Sequence, residues 1–565
     1  MKKKKRRLKI KNLIIILVII VALIFSFCFY RAYVRKNENE KRFLGSDTLT
    51  VSLYNENLES VKEIIRGEEV IIYPNQELEE EYIKVIYDEV EYYANKNNLV
   101  NSLNDVVFEK EVYVRTSYNL NKEPDSIELL DLVEKGSKLE IIGYDTLLSD
   151  GNVLMYKVKT EAGSEGYFYQ KYTVKDKETS LLNYDADGVY KTHSTRKDIY
   201  GGGDGASLDY YPVEKVTFEN NKMPENVYSL YLNGTKGVIS KVDDYIEYAK
   251  TTKINAFVVD IKDSGVSAYA SNVMKEYSKT SYDKALNTFD SYKSAIKKIK
   301  DAGFYVIGRI TTFKDTYYIT DNKSDAISDK SNNPLKHQSS YWPSAYNRDV
   351  WEYNIALAKE AVLEMGFNEI QFDYVRFPDG LRTKEKQGTV DYKNTYNETK
   401  AQAIQRFLMY ATNELHKLNV YVSCDVFGES SWGYVTSYGQ YWPAMSNVVD
   451  VISAMPYTDH FGNSYGGHTN PWEYPYDTML TWANTASERQ KETPTPAIAR
   501  TWITAYNTPY WNPTVNYNGD ELSSQINALY KKGLNGGYMT WLSSSNLTKY
   551  KYQKSAFTKE YQWKQ

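Results

Sequence analysis

The sequence predicts an α/β protein: a (β/α)8 barrel of the TIM type over residues 225–565, a small all-β domain before it, and an amino-terminal transmembrane helix. Three observations carry this. Eight short apolar runs alternate with helical patterns from Asn226 onward. Between residues 108 and 176 the rhythm changes to short alternating runs divided by Gly, Asn, Asp and Ser. An apolar run from Leu13 to Tyr30 is broken only by Ser26.

The chain begins with a dense positive segment, residues 1–11, that holds eight Lys or Arg and no acid. The apolar stretch after it, residues 12–30, is just long enough to span a bilayer, and the cationic flank places residues 1–11 in the cytoplasm and the rest outside. A cleaved signal peptide is the competing reading. The run is long for one, and no small-x-small site follows it. Setting aside those eight cations leaves 61 basic against 73 acidic residues, a formal charge of −12 for the exported part. That balance argues against nucleic acid as a partner. Cys28 and Cys424 are the two cysteines, one of them in the apolar run, so no disulfide framework is expected outside and stability must come from burial. The 54 Tyr and ten Trp supply flat apolar faces with polar edges, which suit sugar rings.

Residues 31–107 read as a charged tether to about Ser46 followed by a small α+β piece or stalk. Glu68–Tyr73 has strand character, and Tyr82, Val85, Ile86, Val90 and Tyr93 fall at helical spacing within Glu77–Asn98. Residues 108–176 contain the runs Val112–Thr116, Leu139–Tyr144 and Leu154–Lys159, which predict a small all-β barrel or roll. The succession "VYVRTSYNLNKEPDSIELLDLVEKGSKLEII", "GNVLMYKVKT" and "GSEGYFYQKYTV" resembles the bacterial Src-homology-3-like domain. The resemblance implies an envelope setting, with cell-wall peptide as the partner such a domain would contact, or a spacer role. Residues 177–224 read as a linker, and Gly201-Gly-Gly-Asp-Gly205 within it as a flexible turn that lacks the strand and helix a phosphate loop needs.

The barrel strands are expected at 227–232, 256–260, 305–309, 370–373, 420–425, 451–456, 497–500 and 537–541. Helices are expected at 240–251, 292–302, 348–365, 399–418 and 522–532. In such a barrel the loops after the strands build the reactive face, so strand-end residues are the candidates. Asp260, followed by Lys262 and Asp263, ends the second strand; Arg309 ends the third. Asp373 and Arg376 end the fourth, where alternation sets Gln371 and Asp373 opposite Ile370 and Phe372. Asp425 ends the fifth, with Glu429 in the next loop. Tyr457, Asp459 and His460 follow the sixth, Arg500 and Trp502 end the seventh, and Trp541 ends the eighth.

The segments "INAFVVDIKDSGVSAYAS", "GFYVIGRITTFKD", "NRDVWEYNIALAKEAVLEMGFNEIQFDYVRFPDG" and "VSCDVFGES" resemble an exported glycosyl hydrolase type of (β/α)8-barrel family, distantly similar to the alpha-amylase clan. The likeness runs from about residue 225 to the carboxyl terminus. It implies cleavage of O-glycosyl bonds in an envelope or extracellular polysaccharide, with one carboxyl group as acid and another as nucleophile or base. On that pattern Asp373 takes the nucleophile or base role, kept ionised by Arg376, and the acid is Asp425 or Glu429. Asp260, Arg309, Arg376, Tyr457, Asp459, Arg500, Trp502 and Trp541 are then substrate-binding residues, and Trp432 is a further stacking candidate. No cofactor is implied.

Two other classes compete. Five His, with only Asp459, His460 and His468 clustered, do not match a zinc spacing, which weighs against a metal-dependent deacetylase of wall sugars. A barrel without catalysis, serving as an anchored glycan-binding scaffold, is told apart by replacing Asp373.

Overall fold

The computed structural model describes residues 10–37 and 39–562, with side chains at 14–31 and 39–562; residues 1–9 of the cationic segment lie outside the described residues. The helix Ile10–Asn37 carries the window Ile14–Arg31, whose mean hydropathy is 2.7 and whose side chains are exposed. Among the described residues it is the one helix long and apolar enough to cross a membrane. The chain divides into two compact units, one ending at Leu182 and the other beginning at Asn183.

The first unit holds two seven-stranded antiparallel sheets. Strands at 40–44, 50–54, 60–65, 69–78, 82–87, 90–95 and 99–100 pair in the order third, second, sixth, fifth, fourth, first, seventh. Strands at 111–114, 118–121, 129–133, 138–144, 155–160, 165–169 and 173–174 pair in the same order. Each sheet has a 3₁₀ turn before its last strand, Lys96–Asn98 and Gln170–Tyr172.

This corrects the reading of residues 31–107. The tether is shorter than expected, since a strand begins at Glu40, and the helix expected at 77–98 is absent. Two strands meet there at Asp88-Glu89, both with positive φ (51° and 64°), the geometry of a tight hairpin turn. Two short alternating strands across a turn reproduce helical spacing by coincidence, while Ile83 and Val85 show the period of two by burying one face. Arg66 fastens the two sheets together. It is buried, donates to the carbonyls of Gly151 (2.7 Å) and Ser46 (3.1 Å), and pairs with Glu109 at 2.5 Å.

In the second unit nine parallel strand segments follow one another around a nearly closed barrel-like sheet: 498–499, 451–455, 421–427, 369–373, 305–311, 256–263, 227–232, 537–541 and 501–504. The first and last of these are consecutive in the chain, separated by Arg500 alone. One break in the hydrogen-bond ladder is therefore all that stands between this sheet and closure. Helices at 242–249, 289–301, 348–365, 400–416, 442–446, 475–491 and 519–531 lie between successive strands. The helix Arg348–Met365 coincides with its expected range; its Asn347 cap accepts the amide of Asp349. The helix Pro475–Lys491 was not anticipated. The interior is filled by alternate strand residues, including Val227, Tyr231, Ala256, Val258, Ile307, Tyr421, Trp502 and Met539.

From residue 183 the expected linker is part of this unit. Leu208 and Tyr210 pack with Ala401, Val435, Tyr441 and Ala444. His193 is buried against Tyr210 (ring centroids 4.1 Å apart), with Nδ1 2.7 Å from the Tyr441 hydroxyl and Nε2 3.0 Å from the Glu492 carbonyl. The glycine run serves close approach here, since a Cβ on Gly202 would sit 1.9 Å from the Thr436 carbonyl oxygen.

Candidate active site

Four adjacent strands deliver a charged cluster to one end of the barrel. Strand pairing sets Asp260 beside Arg309, and Thr311 beside Asp373. Residues of one parity point inward, so Glu369, Gln371 and Asp373 form three successive levels, and Asp373 is at the carboxyl end.

Arg309 is the hub of this cluster. Its NH1 donates to Asp260 Oδ1 at 2.7 Å, while NH2 and Nε donate to Asp373 Oδ2 at 2.6 and 3.1 Å. Nε also lies 4.0 Å from Asp425 Oδ2, and NH1 3.7 Å from Asp263, which is half exposed. The rings of Trp541 and Tyr231 flank the guanidinium at 5.3 and 5.8 Å. Burial works against its charge, but Asp260 and Asp373 outweigh burial and hold Arg309 protonated.

The carboxyls around this cation differ in setting. Asp373 accepts from Arg309 and, through Oδ1, from the Tyr374 amide at 2.6 Å. Tyr374 takes φ 48°, a left-handed conformation costly for an aromatic residue and in keeping with a site that over-determines its backbone. Asp260 is buried, and burial outweighs the pull of Arg309, so its carboxyl is pushed up to about 6. Asp425 is fully buried, and burial together with the negative charge of Asp373 pushes its pKa well above the usual carboxylate range. Its Oδ1 accepts the Trp502 indole N–H at 2.8 Å.

The other expected residues divide into three groups. Trp502, Tyr457 and Trp541 join the cluster as its aromatic wall: Trp541 is 4.8 Å from Tyr231, 5.7 Å from Trp502 and 6.3 Å from Tyr457 between ring centroids. Glu429, Asp459 and Arg376 stand around it. Glu429 accepts from the hydroxyls of Tyr434 (2.9 Å) and Tyr438 (2.8 Å), and Asp459 from those of Tyr506 (2.5 Å) and the Trp511 indole (3.3 Å). Trp432 packs edge-on against Tyr434.

Arg376 does not hold Asp373. Its NH1 donates to Asp379 and to the Phe377 carbonyl, both at 3.0 Å, and its guanidinium is caged by Trp342, Tyr374, Phe427 and Tyr438. The cation on Asp373 is Arg309. Arg500 is also misplaced by the strand-end rule. The seventh strand continues to Thr504, so Arg500 lies at the opposite end of the barrel, fully buried, with NH1 2.8 and 3.0 Å from the two oxygens of Glu369. Tyr305 donates to the same carboxylate at 3.0 Å. Lys262 is likewise a core group, buried with Asp315 at 2.8 Å.

Sequence reasoning missed Tyr231 and Tyr506. Tyr231 donates to Asp260, and its inward parity on the first strand was a usable signal. Tyr506, in the loop after the seventh strand, had none beyond its position. The acid-rich, aromatic-walled cluster can bind polar rings, hold one proton on a buried carboxyl and present a second carboxyl as an acceptor.

A family described as "Putative glycosyl hydrolase domain" matches residues 229–547, more than half of the chain and every residue of the Arg309 cluster. A solved structure of a hypothetical protein from Ruminiclostridium thermocellum is 33% identical, with 35% of this chain and 97% of that chain covered and a TM-score of 0.30. The glycoside hydrolase domain of PgaB (BpsB) from Bordetella bronchiseptica is 13% identical, with 60% of this chain and 100% of that one covered and a TM-score of 0.42. The Ras-related protein RabH of Dictyostelium discoideum is 23% identical over 177 residues, which is 31% of this chain and 85% of that protein. The G-x-x-x-x-G-K-[ST] pattern of a phosphate loop does not occur in this sequence.

Proposed function

The chain belongs to the family described as "Putative glycosyl hydrolase domain", and from that premise we propose that it is a membrane-anchored, outward-facing glycoside hydrolase acting on an envelope or extracellular polysaccharide. The observation that carries this reading is the pair of unlike carboxyls on Arg309. Burial and the charge of Asp373 raise the Asp425 carboxyl well above the usual carboxylate range and so favour its protonated form. Asp373 accepts three hydrogen bonds, two of them from a guanidinium. One carboxyl is thus suited to protonate a leaving glycosidic oxygen, and the other to attack the anomeric carbon or activate water.

Asp425 is preferred to Glu429 as the acid. Glu429 has both oxygens occupied by tyrosine hydroxyls, an acceptor role that suits a carboxylate rather than a proton donor. Asp373 and Asp425 both approach Arg309 Nε, with oxygens 3.1 and 4.0 Å from it. Asp260, with its charge on Arg309 and its bond from Tyr231, orients the cluster.

The apolar helix Ile14–Arg31 supports the anchor, and the eight cations before it support a cytoplasmic amino terminus. The nine strand segments read most simply as a (β/α)8 barrel whose seventh strand is interrupted at Arg500. The antiparallel sheet at 111–174 fits the Src-homology-3-like reading and a wall-contact or spacer role. The full chain in detergent, incubated with peptidoglycan, peptide-stripped glycan strands and α-glucans, is expected to release reducing ends from one of them, and Asp373→Asn to release none. Release by the variant at the wild-type rate would refute the assignment.

A further inference from the structure

The aromatic wall of the cluster does not stop at the barrel mouth. From Trp541 it passes to Tyr457, and from Tyr457 to Tyr506, with ring centroids 6.3 and 6.0 Å apart. Tyr506 donates to Asp459 Oδ1 at 2.5 Å, and on the other side of that carboxylate Trp511 donates to Oδ2 at 3.3 Å. Trp511 leans on Trp472, at 4.9 Å between ring centroids, yet leaves 43% of its surface exposed, and its neighbour Tyr510 is 96% exposed. The row is thus continuous by contact from the Arg309 cluster to open solvent, along the loops after the sixth and seventh strands.

Large aromatic side chains exposed side by side lower solubility and add nothing to the core, so their use lies in what they meet. Their flat faces stack on the C–H faces of sugar rings, and Asp459, held from both sides, keeps lone pairs free to accept hydroxyl hydrogens. We propose that this row is the binding track of an extended glycan chain, and that the protein engages a polymer across several sugar units rather than a small saccharide. The proposal rests on the glycoside hydrolase reading and assigns the grip on its polysaccharide to the loops after the sixth and seventh strands.

Affinity electrophoresis of the full chain in detergent tests it, in gels carrying glycol chitin, peptide-stripped peptidoglycan strands or amylose. Wild type and Asp373→Asn should be retarded alike by one polymer, and Tyr510→Ala/Trp511→Ala should bind that polymer roughly tenfold more weakly. Because Trp511 also packs on Trp472, Tyr510→Ala alone serves as the fold-neutral variant, with a loss of about threefold and an unchanged melting temperature. Equal retardation of wild type and both variants, or no retardation by any of the three polymers, overturns the track. Hydrolysis is scored separately on Asp373→Asn, so failure of the catalytic reading and failure of the track appear in different assays.

Discussion

The Trp502 indole donates its N–H to Oδ1 of Asp425 at 2.8 Å, and Oδ2 of the same buried carboxyl has no hydrogen-bond partner among the described residues. That bond favours the charged form, against burial, which favours the neutral one. Trp502→Phe removes the donor and keeps an aromatic ring. The pKa of Asp425 should rise further, and an acid that keeps its proton longer moves the alkaline limb of kcat/KM to higher pH, by about one unit. A pH–rate profile on the responding polymer checks it; an unmoved limb would remove Asp425 from the acid role.

Asp260 should make the protein less stable as pH rises through the mildly acidic range. Its carboxyl is pushed up from 3.8 to about 6 by burial, so between these values the folded state holds a proton that the unfolded state has released. The contribution is complete below about pH 4 and lost above about pH 6, amounting to at most about 3 kcal/mol. Urea midpoints of wild type and Asp260→Asn should diverge in slope over that interval.

His193 should act with the opposite sign. Burial lowers it from 6.5 to about 4, so the unfolded state takes up a proton that the folded state refuses. Stability from this residue is full above about pH 6.5 and falls as pH drops toward 4, by up to about 3 kcal/mol. His193→Asn should flatten that fall. Limited proteolysis within residues 183–210 should accelerate at pH 5 in wild type, because this imidazole joins the segment to Tyr441 and Glu492.

Arg500→Met should cost stability and spare substrate binding. It leaves Glu369 buried with its Tyr305 bond and no cation, a loss of about 3–5 kcal/mol. Arg500→Met/Glu369→Gln should recover most of it. Chemical denaturation gives the stability, and KM per folded molecule should not change. A tenfold rise in KM at unchanged stability would return Arg500 to the substrate.

The barrel-like sheet was legible because its strands and helices carry different periods, and all eight expected strands begin within a residue of their expected positions. For the same reason the strand-end rule picked Asp260, Arg309, Asp373 and Asp425, which the structure brings into one cluster. It failed at Arg500 because the seventh strand was ended too early: Trp502-Ile-Thr504 continues it, which turns a strand end into a strand start. It failed in part at Arg376 because the aromatic cage comes from three separate segments, which no local pattern announces. Residues 77–98 misled because a hairpin of two short strands imitates helical spacing.

The shared strand order of the two antiparallel sheets has a bearing on how the first unit is built. Arg66 and Lys135 occupy matching places, each before a glycine of positive φ (Gly67 at 94°, Gly136 at 86°) in the turn between third and fourth strands. Arg66 reaches forward to Glu109 and Gly151, in the join and the sheet that follow it, and Lys135 reaches forward to the carbonyl of Leu182 at the end of its own unit. Each sheet therefore ties down the segment that follows it through a side chain of its own. The first unit is modular at the level of single side chains, with each tie placed in a turn of the sheet itself.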